Sequence, residues 1–424
     1  MGSEGRARSL LTIPLDQSVK LSNASILMPA GEMNFEQVLA SIGTARFLSE
    51  YWTKKPLYLK GEKGRFERVF SWADLNRILT WHPPPQPQLR LFQEGSMVDL
   101  RRYIDGPVGN LRLNPGGLMA LLAQGATMIM DGVQEVAPSI LDLTSSFEDA
   151  LSCTCAANLY AGWRTQKGFN VHWDAHEVFA VQLSGRKRWQ VFAPTRIDPL
   201  ADDSDAAQPP TAPPIWEGLL SDGDVLYLPR GYWHVAYPLD EPSLHMTWSA
   251  HTFTGIDFLQ WWIRTLRRHP EARKSLAGLK DPEARKAYAA KLVDFLAAST
   301  QGDPLEQFLR SQHGVRRPRP RIRLPQGPIE QHASLTAEST IRLANQSELF
   351  IEREAGEPLA KFFAAGSYWY IRPEFIAAFQ RLSGAQSVGF RELAATIADK
   401  RLVPMLQSAI DALAGAGLLF KEND

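Results

Sequence analysis

The feature that most constrains the fold of this chain is a change in the spacing of its apolar residues near residue 89. From there to residue 254, apolar and β-branched residues come in runs of strand length, each bounded by Gly, Pro, Asp or Ser. This pattern is typical of an all-β sandwich or barrel. The runs lie at residues 90–93, 126–130, 153–163, 178–183, 189–192, 224–228 and 244–249. We therefore predict one β-domain over residues 89–254.

Apolar residues at helical spacing occur on both sides of this region. Residues 34–52 and 72–79 have this spacing, and the second helix is predicted to end before the prolines at 83–85. Helical spacing returns over residues 259–266. A helical segment with a spare apolar face is typical of an oligomerisation element, so residues 255–315 are predicted to join two copies into a homodimer.

The C-terminal part of the chain follows a basic, proline-rich segment. Residues 316–325 contain five arginines and three prolines and are predicted to form an extended linker. Beyond it, three helical patterns precede an extended segment at 417–420, an order typical of a winged helix-turn-helix. The helical patterns cover residues 372–382, 390–397 and 402–414. The predicted domains are residues 1–254, 255–325 and 326–424.

The composition argues against several classes of protein. With 46 Lys and Arg against 46 Asp and Glu, the net charge is zero, which disfavours binding of nucleic acid or membranes through overall charge. No apolar stretch approaches the roughly 18–20 residues needed to span a bilayer, and residues 1–17 lack the apolar segment of a signal peptide. The two cysteines, Cys153 and Cys155, fit a reducing compartment. We expect a cytoplasmic protein without membrane association.

The clearest chemical signal comes from His172, Asp174 and His234. His172 and Asp174 are two positions apart, so on a strand both side chains point to one face. His234 follows a Gly-Asp turn, a strand and the tripeptide Pro-Arg-Gly, which presents its side chain at a strand end. Two histidines and one carboxylate, with the opposite coordination face open, form the metal site of non-haem Fe(II) oxygenases. The same ligands suit zinc, and ordinary core histidines without a metal are a further alternative.

The residues around these positions resemble a known family. Residues 172–192 (HWDAHEVFAVQLSGRKRWQVF) and 223–248 resemble the JmjC-type 2-oxoglutarate oxygenases, specifically the cupin-4 branch that contains the ribosomal oxygenases. The resemblance extends upstream to residues 47–57 and downstream over the rest of the chain. It implies an α+β multidomain protein. Its core would be a double-stranded β-helix (jelly-roll, cupin/JmjC), followed by a helical dimerisation region and a C-terminal winged-helix domain.

The resemblance also implies roles for individual residues. By position, His172, Asp174 and His234 would bind Fe(II), and Lys187 would bind the distal carboxylate of 2-oxoglutarate. A lysine suits this role because a charge inside a barrel is costly without a partner. The alternative is that Lys187 belongs to a solvated turn with the arginines on either side of it.

Further contacts to 2-oxoglutarate are implied on two other strands. Asn158 and Tyr160 lie on the strand before the metal ligands and match family positions that hydrogen-bond the cosubstrate. Thr247 and Ser249 are inward candidates on the last strand, with Thr247 predicted as a cosubstrate contact. Packing without a ligand contact is the alternative for these residues.

Three more histidines and one glutamate lie near the ligands in sequence. Strand alternation and the family pattern give no ligand role to His176, His245 and His251. Glu177 stands where many relatives have aspartate, so we expect an acidic contact to be retained there.

The activity implied by the resemblance is hydroxylation of a protein side chain by dioxygen, with 2-oxoglutarate converted to succinate and CO2. The expected substrate is a ribosomal protein, and a biosynthetic peptide or a small molecule is the alternative. A different hypothesis is a non-enzymatic scaffold whose winged helix binds nucleic acid, which the arginines at 316–323 favour. Residues 402–414 are almost uncharged, however, and groove binding needs Lys and Arg contacts to phosphate, which disfavours direct DNA binding.

Overall fold

The structure is a computed structural model that divides into two compact units, Met1–Thr252 and Phe253–Asp424. It describes residues 33–81, 88–107, 111–164, 168–203, 208–265, 267, 269–298, 303–313, 335–343, 349, 351–353, 357–364, 367–383 and 387–421. The predicted linker at residues 316–325 lies outside the described residues. None of the helices in the described ranges combines the length and apolar character needed to cross a membrane.

Two antiparallel β-sheets form the centre of the first unit. The larger sheet has the strand order β1-β11-β8-β13-β7-β6-β2-β3, the smaller has the order β10-β9-β12, and β4 and β5 form a separate ribbon. The strands are β1 Leu57–Leu59, β2 Leu89–Gln93, β3 Ser96–Met97, β4 Ile104–Asp105, β5 Arg112–Leu113, β6 Thr127–Met130, β7 Thr154–Gly162, β8 Glu177–Ser184, β9 Arg186–Phe192, β10 Trp216–Ser221, β11 Val225–Leu228, β12 Trp233–Pro238 and β13 Ser243–His251. Each of the seven predicted runs contributes a strand, so the predicted β-core is confirmed.

Strand β13 shows how the fold separates its core from a cavity. Alternate side chains of a strand point to opposite faces. Leu244, Met246, Trp248 and Ala250 pack in the main apolar core, whereas His245, Thr247 and Ser249 line a cavity. Both faces of β13 are covered, and every residue of the strand except the last, His251, is therefore buried.

The prediction that residues 89–254 are purely β is wrong at two helices, α4 Pro115–Ala123 and α5 Pro138–Leu151. Each starts with a proline, whose fixed φ suits the first helical position. Helix α5 buries one face against the main core, with residues at the i, i+3, i+4 spacing. The buried residues of α5 are Ile140, Leu143, Thr144, Phe147 and Leu151. The remaining helices of this unit are α1 Phe35–Val38, α2 Thr44–Glu50 and α3 Trp72–Trp81.

A buried tyrosine connects the larger sheet to the segment that follows α2. The hydroxyl of Tyr227 donates to the carboxylate of Glu177 and accepts the backbone N–H of Thr53 at 2.8 Å. Glu177 is fully buried, and this burial raises the pKa of its carboxyl above the ordinary value. The Tyr227 hydroxyl is therefore one of the hydrogen-bond partners that this buried carboxyl needs inside the core.

Tyr227→Phe is expected to lower the free energy of unfolding by about 1–3 kcal/mol, because it removes the hydrogen-bond partner of a buried carboxyl. Urea unfolding of the purified protein measures this change. Tyr232→Phe is the matched control, since the Tyr232 hydroxyl makes only a 3.4 Å bond to the carbonyl of Lys54 in an exposed position. Equal losses in the two variants would contradict the role of Tyr227.

The second unit contains helices and two small sheets. Its helices are α6 Gly255–Thr265, α7 Pro282–Ala298, α8 Pro304–His313, α9 Ile376–Leu382, α10 Phe390–Ala395 and α11 Val403–Gly415. Its strands are β14 Thr340–Leu343, β15 Ile351–Glu352, β16 Ala360–Ala364, β17 Ser367–Ile371, β18 Val388–Gly389 and β19 Leu419–Lys421. The sheets have the orders β18-β14-β19 and β15-β16-β17. The predicted helices and the final extended segment are thus present.

Candidate active site

The three predicted metal ligands come together at the edge of the smaller sheet. A backbone bridge joins His172 to His234 on β12: the N–H of His234 donates to the carbonyl of His172 at 2.7 Å, and the reverse bond is 3.2 Å. Asp174 is held by the N–H of Gly231, which donates to its carbonyl at 2.9 Å. Among the described residues, these three form the one group of His, Cys, Asp and Glu whose ligand atoms all lie within 4.8 Å of one another.

Backbone carbonyls orient both imidazoles. The Nδ1 atom of His172 lies 2.8 Å from the carbonyl of Asn170, and the Nδ1 atom of His234 lies 3.0 Å from the carbonyl of Tyr232. A carbonyl only accepts, so each Nδ1 carries the proton and each Nε2 keeps a free lone pair. The Nε2 atom of His234 lies 3.5 Å from a carboxylate oxygen of Asp174. This is the orientation found in metal-binding histidines.

The electrostatics place Asp174 and His234 in the protonation states that a metal requires. Burial raises the pKa of Asp174, but the nearby His234, His176 and His172 outweigh burial and lower the pKa below its ordinary value. Burial, together with His172, lowers the pKa of His234 to about 4. At neutral pH an ionised carboxylate therefore faces a neutral imidazole, which is the state that binds a metal without first releasing a proton.

The other predicted site residues line the same cavity as the three ligands. The cavity has a volume of about 260 Å³ and lies between the two sheets, with walls from β7, β8 and β13 on one side and β9 and β12 on the other. Its lining includes the predicted residues Asn158, Tyr160, Lys187, Thr247 and Ser249. The structure thus brings every predicted site residue together.

Lys187 is a buried cation in this cavity. Its side chain is only 2% exposed, so the alternative of a solvated turn is wrong. Its ammonium group lies 2.9 Å from Nδ1 of His245 and forms no salt bridge to any residue that the structure describes. Burial lowers its pKa from 10.5 to about 7. A buried ammonium without a counter-ion indicates a place for an anionic ligand.

The remaining predicted contacts are partly engaged with the protein. The side-chain oxygen of Asn158 accepts the N–H of Gly132 at 3.1 Å, which leaves its NH2 group for other partners. The hydroxyl of Thr247 donates to the carbonyl of Asn158 at 3.4 Å. Burial raises the pKa of Tyr160 to about 12, so its hydroxyl remains a donor at neutral pH.

Several cavity residues were not predicted from the sequence. His245 lies on the cavity face of β13, two positions before Thr247. Because residues two apart on a strand point to the same face, strand alternation could have predicted that His245 points inward. Trp189 and Arg90 also line the cavity, and Arg90 forms an ion pair of 2.6 Å with Asp131. Glu177 is not part of the cavity lining; its acidic contact is the one with Tyr227 described above.

Comparison with known proteins identifies the domain that carries these residues. Residues 135–258, which contain all three candidate ligands and Lys187, match the family model described as the JmjC domain. The chain contains a JmjC domain. The match confirms the resemblance seen in the sequence, and it covers both sides of the cavity.

This chain is similar to curated proteins of animals. It is 28% identical over 227 residues to a protein of Drosophila persimilis named bifunctional lysine-specific demethylase and histidyl-hydroxylase NO66. It is 27% identical over 236 residues to ribosomal oxygenase 1 of Homo sapiens. These matches cover 52% and 53% of this chain but 32% and 36% of the relatives, so the chain spans about a third of their length.

A solved structure of YcfD, a ribosomal oxygenase from Escherichia coli, in complex with cobalt and 2-oxoglutarate, has a similar fold. The two chains are 17% identical, the TM-score is 0.55, and the alignment covers 89% of this chain and 98% of YcfD. The similarity shows a common fold, with a JmjC/cupin-type β-core and mixed α and β elements.

Proposed function

We propose that this protein is an Fe(II)- and 2-oxoglutarate-dependent oxygenase that hydroxylates a protein side chain. One observation carries the proposal: two histidines, a carboxylate and a buried lysine without a counter-ion among the described residues line a single cavity. The first three can hold a metal and the fourth can hold an acid. The names of the relatives, which include oxygenase and hydroxylase, support this function.

The residues present fit a bound divalent iron. Both Nε2 atoms have free lone pairs, the carboxylate is ionised, and three ligands leave coordination positions for a keto acid and dioxygen. His172, Asp174 and His234 would hold the ion. When bound, Fe(II) and 2-oxoglutarate supply the oxidative chemistry that inserts one oxygen atom into a C–H bond and yields succinate and CO2.

The protein itself binds and orients the reactants. Lys187 neutralises the distal carboxylate of 2-oxoglutarate, and its burial makes that charge pair strong because water does not compete. Tyr160 donates a hydrogen bond to the same molecule through its protonated hydroxyl, and Asn158 and Thr247 offer further polar contacts. A keto acid with a second carboxylate would match this arrangement, because Lys187 lines the same cavity as the three candidate ligands.

The proposed substrate is a ribosomal protein, supported by the name ribosomal oxygenase of the human and bacterial proteins. The test is mass spectrometry on ribosomal proteins incubated with the purified enzyme, Fe(II), 2-oxoglutarate and air. We expect one protein to gain the mass of one oxygen atom, with succinate formed in equal amount. No gain in any ribosomal protein, although a peptide or small molecule is hydroxylated, would contradict the substrate but not the chemistry.

The proposed domain organisation is a catalytic domain over residues 1–254, a dimerisation region with its linker over 255–325, and a winged-helix domain over 326–424. Exposed apolar side chains on α6 support the dimer: Leu259 is 45% and Ile263 58% exposed. Helix α11 carries a single charged residue, Asp411, which supports protein packing rather than DNA binding. The chain has only two cysteines, Cys153 and Cys155, and this low cysteine content supports a reducing, cytoplasmic location.

The oligomeric state can be measured directly by light scattering. The dimer proposal predicts a mass twice the 47.4 kDa of one chain at micromolar concentration. Ile263→Asp is expected to shift the protein to the monomer, because a charge on an apolar interface loses its hydration without gaining a partner. A monomeric mass for the unmodified protein would contradict the proposal.

A further inference from the structure

His245 is the residue of the cavity whose contacts the proposed function leaves unexplained. Its side chain is 4% exposed and is fixed on three sides. The ring of Tyr160 stacks on it at 4.7 Å and 10°, and the edge of Trp189 meets it at 5.6 Å and 80°. On the third side, Nδ1 lies 2.9 Å from the ammonium nitrogen of Lys187. These three contacts fix the orientation of the imidazole.

The contact with Lys187 determines the protonation state of the imidazole. An ammonium group only donates, so Nδ1 of His245 must accept and the ring proton must sit on Nε2. Burial, together with the charge of Lys187, holds the pKa of His245 well below its ordinary value, so the ring stays neutral. His245 thus acts as an acceptor for a cation and not as a second positive charge.

This hydrogen bond limits where the ammonium group can lie. A lysine side chain is long and flexible, and its head group is a point charge that could take several positions in a cavity. With one N–H directed to His245, the two other N–H groups of Lys187 remain for an acid. The position of the charge in the cavity is therefore set by β13 as well as by β9, which carries the lysine.

A second polar atom at this end of the cavity lacks a partner among the described residues. The indole Nε1–H of Trp189 is buried without a hydrogen bond, and the indole packs against both His245 and His234, at ring distances of 5.6 and 6.0 Å. Buried donors are normally paired, and an unpaired one that lines a cavity indicates a ligand with an acceptor oxygen. This donor and the Lys187 ammonium lie on the same face of β9.

We propose that His245 is a positioning residue that fixes the Lys187 ammonium group for binding of a dicarboxylic keto acid, and that Trp189 donates its indole N–H to the same acid. This inference rests on the proposed function, because it assigns the keto acid of that reaction to this end of the cavity. It predicts that His245 controls affinity for the keto acid and leaves the affinity for the metal unchanged.

The test compares His245→Leu with Met246→Leu, its neighbour on the core face of the same strand. Calorimetry measures binding of 2-oxoglutarate to the Co(II)-loaded protein without oxygen. His245→Leu is expected to weaken 2-oxoglutarate binding about tenfold, the effect of losing one charge-assisted hydrogen bond, with the Co(II) affinity unchanged. Met246→Leu should bind both as the unmodified protein does. His245→Asn, which can accept through its side-chain oxygen, should recover part of the affinity.

The outcomes separate this inference from the proposed function. Equal 2-oxoglutarate affinity of His245→Leu and the unmodified protein would overturn the role of His245 alone. No 2-oxoglutarate binding by the unmodified Co(II)-loaded protein would overturn the proposed function and this role with it. If His245→Leu does not fold, nitrogen NMR of the unmodified protein is the alternative test. The imidazole signals of His245 are identified as those that are absent from the spectrum of His245→Asn. They should show a neutral ring protonated at Nε2, and an imidazolium or an Nδ1-protonated ring would overturn the role.

Discussion

Replacing Asp174 with alanine is expected to abolish succinate formation and hydroxylation while the protein stays folded. The variant loses one of the three proposed metal ligands and the only carboxylate of the group. Changes in residues that merely support metal ligands already cost about 10–100-fold in metal affinity or activity, so loss of a ligand should cost more than about 100-fold. Succinate formation with Fe(II) and 2-oxoglutarate in excess measures the loss, and circular dichroism reports the fold.

The matched control for this change is Asp240→Ala. Asp240 forms a surface ion pair with Arg164, with 65% of its side chain exposed, and such pairs contribute little to stability. Its activity should equal that of the unmodified protein. Turnover of Asp174→Ala within a factor of about three of the control would exclude Asp174 as an essential ligand, because a threefold loss is far smaller than the more than about 100-fold loss expected for a removed ligand.

Lys187→Met is expected to weaken 2-oxoglutarate binding strongly and, at the same time, to stabilise the ligand-free protein. Removing one partner of a buried charge pair costs about 2–5 kcal/mol, which corresponds to at least about 30-fold in affinity. Without ligand, however, the buried ammonium group destabilises the folded protein. The decrease of its pKa from 10.5 to about 7 corresponds to a loss of about 5 kcal/mol in the free energy of unfolding. Loss of the bond to His245 offsets about 1–3 kcal/mol of this gain.

The stabilising effect should depend on pH in a defined direction. The folded pKa of Lys187 lies below the unfolded value, so the cost of burying its charge is fully present below pH 7 and disappears as the pH rises from about 7 towards 10.5. Lys187→Met should therefore raise the free energy of unfolding by about 2 kcal/mol or more near pH 6 and by less near pH 9. Urea unfolding at the two pH values measures both.

Lys286→Met is the control for this prediction, because the Lys286 side chain is 75% exposed. It should change neither the 2-oxoglutarate affinity nor the stability by a measurable amount. A Lys187→Met variant that binds 2-oxoglutarate normally would remove Lys187 from the site. One that binds weakly but is also destabilised at pH 6 would show that the ammonium is not a cost to the ligand-free fold.

The grouping of the three candidate metal ligands could be predicted from the sequence because it depends on local residue spacing. His172 and Asp174 share a face through the two-residue period of an extended chain, and the turn before His234 is predicted to present its side chain at a strand end. Lys187 followed from the resemblance alone, and its burial depends on pairing of β9 with β10 and β12. Those two strands were not predicted, so the sequence left a solvated turn as an alternative.

The features that the sequence did not reveal depend on contacts between distant segments. Helix α5 is amphipathic, but the partner of its apolar face lies on a distant strand. Trp248 of β13 stacks on Phe147 at 5.3 Å and donates to the hydroxyl of Thr144 at 2.9 Å. The sequence pattern gives His245 no ligand role, although His245 points to the same face of β13 as Thr247. Its importance appears only when β9 brings Lys187 within hydrogen-bond distance.

The most direct test is anomalous diffraction from crystals grown with Co(II) and 2-oxoglutarate in the absence of oxygen. We expect one cobalt peak bonded to His172, Asp174 and His234, with the keto acid on the metal and its distal carboxylate at the ammonium of Lys187. A cobalt peak elsewhere, or a keto acid that leaves Lys187 without a carboxylate, would contradict the assignment of this cavity as an oxygenase active site.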